Sequence, residues 1–416
     1  MTDIERINNL REPQTDRKIR LLILNLYTEM GGGEHALCNI LSGFDTARVV
    51  PVMVFPHDGT FPRKTEEMGV ETVIVSYPVV MIKQMIIPAV FIESLRASVR
   101  IHRLLREKKI DVVQCSDLLS LLLLSLPLMM RRLPVVYSVI FFYEWTRMLV
   151  FNLMALMFVD VIVTNSVAVA DDLREKTMML SAKIETIHPG VDTAAFRPPT
   201  ADETNLLKHE LRIDPSVPLI GMVARFDPAK GHFMFVQAAS VLHLSRPDLH
   251  FVVIGGSMNR TLYPGIDAYR RSVLREAAWL SNEQRIAFLP YRENLPSLLR
   301  GIDVLVCPSE NEGFGLVVLE ALASGVPVVL SRSVGAWEAV RDMSGVHTID
   351  DPTPSGFAEA TLAALTDPAT WRSDTRAILQ RDFNWNLSSQ RFGKLYTSLL
   401  SHKVLYHHYS QWSTIL

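Results

Sequence analysis

Short runs of apolar, mostly β-branched residues alternate with longer helical patterns along most of this chain. RLLILNL (Arg20–Leu26) is the first such run, and RVVPVMVF, ETVIVS, DVVQCS, PVVYSVI, DVIVT and KIETI follow it. These runs are apolar at nearly every position rather than at every second one. Continuous apolar strands separated by helices predict a parallel sheet covered on both faces. The proline-containing stretch HPGVDTAAFRPPTADE (His188–Glu203) interrupts the alternation and reads as an ordered linker. The pattern then restarts with PLIGMVA, HFVVIGG, RIAFL, DVLVCP, PVVLS and GVHTI. A βαβ array that occurs twice predicts an α/β protein of two Rossmann-like domains, their parallel sheets facing a central cleft. The expected boundaries are a loose leader over 1–16, a first domain over 17–192 and a second over 193–382. A closing helix over 383–400 (FNWNLSSQRFGKLYTSLL) and a tail over 401–416 complete the chain.

Composition narrows the class. The 416 residues are 48% hydrophobic, enough for two ordinary domain cores, and the formal net charge of −2 gives no overall footprint for nucleic acid. Cys38, Cys115 and Cys307 lie too far apart for a disulfide or metal spacing, which fits a reducing compartment. The first twenty residues hold no apolar core of a signal peptide. The runs Leu118–Met130 and Met148–Thr164 are broken by Pro127 and by Asn152 and Asp160. Neither reaches the ~20 apolar residues of a spanning helix. A cytoplasmic location is expected.

Parallel sheets take ligands beyond the carboxyl ends of their strands, so the turns after strands are where chemistry is sought. After the first strand, Gly31, Gly32 and Gly33 precede a helix expected to start near Glu34. Such a loop lets backbone N–H groups approach an anion, although a glycine-rich βα turn is often only a tight turn. It is not a G-x-G-x-x-G, so dinucleotide binding is not indicated. In GMVARFDPAKGHF, Arg225 and Lys230 follow a strand and Gly231 opens a helix. Two cations at a helix N-terminus make a diphosphate site that needs no metal; the alternative is a pair of solvated surface cations. In PSENEGFGLVVLEALASGVPVV (Pro308–Val329), Glu312 and Glu320 flank a Gly-Phe-Gly at the mouth of an apolar helix. Glu312 alone reads as a helix-start acid and Glu320 as an exposed face residue. Together they read as acceptors for the hydroxyls of a sugar and a ribose, with Arg225 and Lys230 offsetting their charge.

These stretches resemble the retaining glycosyltransferases of family GT4, which have the GT-B fold. NEGFGLVVLEALASGVPVV resembles the family's E-x7-E signature, and VARFDPAKG its G-R-x-x-x-x-K-G phosphate motif. IETIHPGVDTAAFRP resembles its linker, GGGEHAL its N-terminal glycine loop, and IDVLVCPSENEGFG its D-x-x-x-x-P-S-x-x-E-G-F-G run. The resemblance extends from about Lys18 to Leu400. It implies transfer of a sugar from an NDP-sugar, with retention of configuration, to a glycan or lipid-linked acceptor. By motif position Arg225 and Lys230 would hold the diphosphate. Backbone groups of Gly313, Phe314, Gly315 and Leu316 would line the phosphates, Glu320 would take the ribose hydroxyls, and Glu312 would contact the donor sugar as the catalytic carboxylate. No cofactor and no metal are expected, and no D-x-D stands in the matching positions.

One departure stands out. Many members carry a histidine after the strand that matches PVVYSVIFFYEW, and here that position falls at Ile140 or Phe141, with Glu144 the nearest ionisable residue. That departure motivates one rival, a non-catalytic sugar-nucleotide-binding relative; another GT-B enzyme, an NDP-sugar 2-epimerase, is a second, against which no acid/base set for proton abstraction is visible. In this fold the N-terminal domain meets the acceptor. Between Tyr77 and Val150 ten cations stand against five acids, a net of +5, and Arg96, Arg100 and Arg103 form one helical stripe beside Ile92, Leu95 and Val99. Such a helix suits an anionic membrane surface, on the inner face of the membrane, as well as it suits an ordinary solvated face. The last residues, with His407 and His408, receive no assignment.

Overall fold

The computed structural model describes residues 18–79, 88–142, 145–200, 206–256, 265–367 and 370–412. The chain divides into two compact units, Met1–Gly190 together with Trp385–Leu416, and Val191–Asn384.

In the first unit, strands β1 (Ile19–Leu24), β2 (Val49–Phe55), β3 (Glu71–Ile74), β4 (Val112–Cys115), β5 (Val135–Val139), β6 (Val161–Thr164) and β7 (Ile184–Thr186) form one sheet in the order β3-β2-β1-β4-β5-β6-β7. Every pairing is parallel, with Ile19 opposite Val49 and Leu21 opposite Val112 on the two sides of β1. The helices are α1 (Gly32–Ser42), α2 (Thr60–Glu67), α3 (Pro88–Glu107), α4 (Leu118–Met130), α5 (Trp145–Phe158) and α6 (Val167–Lys176). Successive strand residues point to opposite faces. Leu22 and Leu24 accordingly join a core with Ile101 of α3, Leu121 of α4, Phe151 of α5 and Leu173 of α6. Leu21 and Ile23 join a second core with Leu41 of α1 and Phe61 of α2. That is why the central strands are apolar at nearly every position.

In the second unit, β8 (Leu219–Val223), β9 (His250–Ile254), β10 (Ile286–Leu289), β11 (Val304–Cys307), β12 (Val328–Ser331) and β13 (Val346–Ile349) form a sheet in the order β10-β9-β8-β11-β12-β13, again parallel throughout. Helices α7 (Leu206–Glu210), α8 (His232–Ser245), α9 (Ile266–Glu276), α10 (Ala278–Asn282), α11 (Leu295–Leu299), α12 (Leu316–Ala323), α13 (Trp337–Val340), α14 (Pro354–Leu365) and α15 (Trp371–Asp382) belong to it. Its first and last residues, Val191 and Asn384, meet in a parallel bridge.

Three strands begin with Asp-Val, and the structure gives the reason. Asp111 accepts the Arg20 N–H at 2.9 Å, Asp160 the Val135 N–H at 2.8 Å, and Asp303 the Leu219 N–H at 2.7 Å. Each carboxylate satisfies a backbone donor at the amino end of a neighbouring strand, where the ladder has no partner to offer. Asp303 also pairs with buried Lys208 at 2.8 Å.

The closing helix differs from its expected span. Helix α16 runs from Trp385 to Trp412, past the Leu400 limit, and belongs to the first unit rather than to the domain it follows in sequence. Phe392, Leu395 and Tyr396 enter the core beside Leu41 and Phe61. The Ser389 hydroxyl donates to the Ile40 carbonyl at 2.8 Å, and the Tyr396 hydroxyl reaches the buried Gln114 side chain. Gly43 lets this helix approach, since a Cβ there would lie 2.2 Å from the Ser389 Oγ and 2.7 Å from its Cβ. Gly43→Ala should therefore destabilise the protein by about 1–3 kcal/mol through overpacking. Ser389→Gly in the same chain should restore part of the loss, as urea unfolding would record. Equal stability of Gly43→Ala and the native chain would count against this packing.

Candidate functional site

The strand order of the second unit reverses between β8 and β11, which pair directly through Ile220 with Val304 and Gly221 with Leu305. The turns that leave these two strands are therefore neighbours at the carboxyl edge, the point at which open parallel sheets bind ligands.

The turn after β8 is built around Asp227. Its carboxylate accepts the Ala229 N–H at 3.1 Å and the Arg225 guanidinium at 3.3 Å. A short 3-10 turn over Pro228–Lys230 then delivers the chain to Gly231, which has φ +75° and caps α8. A Cβ at Gly231 would fall 2.0 Å from the Pro308 carbonyl oxygen. Both the left-handed backbone and the close approach demand glycine.

The turn after β11 is held from two sides. Glu310 donates its N–H to the Ala229 carbonyl at 3.0 Å, which ties it to the first turn. The carbonyl of buried Ser309 accepts the Ser331 and Ser333 hydroxyls, each at 2.8 Å. Glu312 donates its N–H to Ser333 at 3.2 Å and accepts from Gly335 at 2.9 Å, and Phe314 accepts from Ala336 at 2.7 Å. The Phe314 side chain is buried in the core, so only its backbone faces the turn. Gly315, φ +89°, caps α12 without a side-chain hydrogen bond. A Cβ on it would press on Val334 at 3.0 Å and on the Glu312 Cγ at 3.1 Å.

Lys230 and Glu312 meet across the two turns in a mostly buried ion pair. The Ser309 hydroxyl donates to the same carboxylate at 3.4 Å. The folding of these turns thus brings Lys230, Glu312 and Gly315 together, with Gly313, Phe314 and Leu316 on the intervening backbone. Arg225 stands apart from that pair on a half-exposed rim, bonded to Asp227 rather than to either glutamate. Charge offset of both acids by both cations, as read from the sequence, is realised for Lys230 with Glu312 only. Glu320 lies a turn inside α12 and is buried, which excludes the exposed-face alternative. Desolvation raises its pKa to about 8, and among the described residues no ion pair relieves it. His232, at the start of α8, is buried and stacked on Phe226 at 4.7 Å. Burial lowers its pKa to about 4, so it adds no positive charge at neutral pH.

In the first unit the glycine loop is tighter than expected. Gly31 caps α1 in an extended conformation and the helix starts at Gly32, two residues before Glu34. A Cβ on Gly32 would meet nothing within 4 Å, whereas one on Gly33 would lie 2.8 Å from the Ile140 side chain. Ile140, one of the two positions matching the family's histidine, thus packs against the loop. Glu144 lies outside the described residues. The sequence reading passed over Asp117, Asp227 and Ser309. Asp117 follows β4, is buried, and caps α4 by accepting the Ser120 N–H at 2.7 Å and hydroxyl at 2.6 Å. Desolvation raises its pKa to about 6. The Asp-x-x-Ser spacing was the available signal for this cap. For Asp227 the signal was Asp-Pro at a turn, and for Ser309 it was the Pro-Ser of the quoted run IDVLVCPSENEGFG. Among the described residues no group of three or more His, Cys, Asp or Glu side chains is placed to hold a metal ion.

Comparison with known proteins is consistent along the chain. The family model described as glycosyl transferases group 1 matches residues 204–381, and the model for Glycosyltransferase Family 4 matches 30–195. A D-inositol 3-phosphate glycosyltransferase of Corynebacterium urealyticum is 31% identical over 253 residues, 58% of this chain and 57% of that protein. The homonymous protein of Mycolicibacterium vanbaalenii is 35% identical over 197 residues, 45% of this chain and 42% of that one. The chain thus spans about half the length of the curated relatives it matches. Among solved structures, Anabaena HepE in complex with UDP and glucose superposes with a TM-score of 0.78 at 20% identity, over 91% of this chain and 100% of that one. Sucrose-phosphate synthase of Thermosynechococcus elongatus gives 0.74 at 18% identity, over 92% and 100%.

The buried Glu320 carboxyl has a direct consequence for stability. Its pKa in the folded chain, about 8, lies above the 4.5 of an unperturbed glutamate. The unfolded chain therefore releases this proton first. The contribution is most favourable to folding below about pH 4.5 and is lost as pH rises through about 8. At about 1.4 kcal/mol per pKa unit the loss reaches a few kcal/mol. Melting curves of the ligand-free protein between pH 5 and pH 9 should show native stability falling relative to Glu320→Gln. Parallel curves for the two would mean that the carboxyl is not desolvated.

Proposed function

Because the chain belongs to the GT4-type glycosyltransferases of GT-B fold, we propose that it transfers a sugar from an NDP-sugar, with retention, to a glycan or lipid-linked acceptor in polysaccharide or glycoconjugate synthesis. The observation that carries the proposal is the Lys230–Glu312 pair, set between the glycine-capped starts of α8 and α12. A diphosphate entering there would draw Lys230 toward its oxygens and would find a helix N-terminus on each side. Glu312, released from its lysine, would accept a hydroxyl hydrogen of the donor sugar. Arg225 on the rim would meet the outer phosphate oxygens. Glu320 would ionise as it accepts the two ribose hydroxyls, which exchange an apolar surrounding for two hydrogen bonds.

The reaction then proceeds on one face of the sugar. The bond from the anomeric carbon to the phosphate oxygen breaks, with the electron pair leaving on the phosphate. The acceptor hydroxyl oxygen bonds to the anomeric carbon from the same side, and its proton passes to the departing phosphate. The positive charges at the diphosphate stabilise the leaving group as it develops. HepE, solved with UDP and glucose, makes UDP the first nucleotide to test. Ile140, standing at a position where many family members carry a histidine and packed on Gly33, favours one alternative: a protein that binds the sugar nucleotide without turning it over. Product analysis by NMR separates the two. An α-linked product from an α-linked donor supports the proposal, an inverted anomer overturns retention, and tight donor binding with no product supports the alternative.

Arg225→Ala and Lys230→Ala should each weaken nucleotide binding by roughly 1.5–3 kcal/mol, the value of a charge-assisted hydrogen bond. Calorimetry with UDP, GDP and ADP would measure this. Undiminished affinity for the best nucleotide in both variants would remove the diphosphate from this site.

Transfer should also survive EDTA, since cations and helix termini supply the charge balance. An absolute requirement for magnesium or manganese would contradict that balance.

A further inference from the structure

Helices α3, α4 and α5 cover one face of the first unit's sheet, and their inner sides fill the same core. Their outer sides therefore turn the same way, away from the sheet. On α5, Met148, Phe151 and Ala155 are buried, while Leu149, Leu153 and Met157 are 72%, 55% and 67% exposed, with Val150 and Leu156 beside them. The exposed set recurs at helical spacing and forms one ridge without an ionisable side chain. On α3, Phe91 (57% exposed), Ile92, Leu95 and Val99 form a second exposed row. Next to it run Arg96, Arg100 and Arg103, all exposed. Helix α4, packed between them, ends in exposed Met129 and Met130 and is followed by exposed Arg132. Single exposed apolar residues are ordinary; contiguous rows bordered by cations are not.

Charge selects the occupant. In a two-fold dimer each residue of the patch faces the same patch of its partner, which would bring the arginine rows toward each other. A layer of anionic headgroups complements them. Helix α3 carries two acids, Glu93, bonded to Arg96, and Glu107, one turn after Arg103, against Arg96, Arg100, Arg103 and Arg106. Length fixes the mode of contact. Helix α5 has 14 residues, which is about 21 Å, and no helix among the described residues is long and apolar enough to cross a membrane. An apolar ridge of this length lies in the plane of the interface.

We propose that the outer faces of α3 and α5 dock this unit onto an anionic phospholipid bilayer. The ridge of Leu149, Leu153, Leu156 and Met157 enters the headgroup–acyl boundary, and Arg96, Arg100 and Arg103 meet lipid phosphates. The surface is distinct from the diphosphate site of the second unit and does not depend on it.

Flotation of the full chain with vesicles tests this without donor or turnover, so the result is independent of whether glycosyl transfer is demonstrated. Vesicles of phosphatidylcholine alone are compared with vesicles containing phosphatidylglycerol. The native chain should prefer the anionic vesicles by about tenfold or more. Salt should weaken that preference, as the screening length falls from ~10 Å at 0.1 M to ~3 Å at 1 M. Leu149→Gln, Leu153→Gln and Met157→Gln combined should lower binding to both vesicle types, with melting temperature and UDP affinity retained because the three side chains are exposed. Arg96→Gln, Arg100→Gln and Arg103→Gln combined should abolish the preference for phosphatidylglycerol. No binding by the native chain, or equal binding by all three proteins, overturns the proposal. So does a vesicle-free dimer, seen by sedimentation, that the ridge variant dissociates, since the face would then belong to a second copy.

Discussion

Gly231 and the Pro308 carbonyl approach so closely that the turns after β8 and β11 form one body. The Glu310–Ala229 hydrogen bond locks the same contact. The meeting of the two turns follows from that approach. It places Lys230 against Glu312, sets the starts of α8 and α12 beside the pair, and fixes Ser309 beneath it. A mostly buried ion pair adds little net stability, because desolvation of the two charges offsets their attraction. On the proposed function its value is readiness, since an incoming diphosphate would exchange one anionic partner of Lys230 for another.

Glu320 shows the complementary device. Helix α12 must bury its apolar sides to cover the sheet, and the carboxyl is buried with them. The resulting proton affinity favours the neutral carboxyl at that position near pH 7. Only a ligand that donates hydrogen bonds favours the charged form. Two ion pairs, Lys230–Glu312 and Arg225–Asp227, stand at these turns, while buried His232 is kept neutral.

In the first unit the constraint is the two-sided sheet. Seven parallel strands need helices on both faces, and the order of crossovers puts α3 to α6 on one face, with α1, α2 and α16 on the other. Helix α16 returns from the far end of the sequence to complete the second layer. On the opposite layer α5 uses one side for the core and leaves an equally apolar side outward. A helix apolar all round normally marks full burial. Here half of its surface has no partner within the described fold.

Much was decided by the sequence itself. All thirteen strands coincide with the apolar runs to within a residue, because a strand covered on both faces is apolar at most of its positions. The glycines at 231 and 315 marked helix starts, and the cations and acids around them marked the turns that carry the site. Periodicity could not show which residues 82 positions apart would meet, as Lys230 and Glu312 do. It also could not show that Arg225 would stay with Asp227, that α16 would join the first unit, or which side of α5 would face outward. Local pattern reports how many faces of an element are apolar. Strand order and close backbone approach decide what each face touches, and those are set only when distant segments pack.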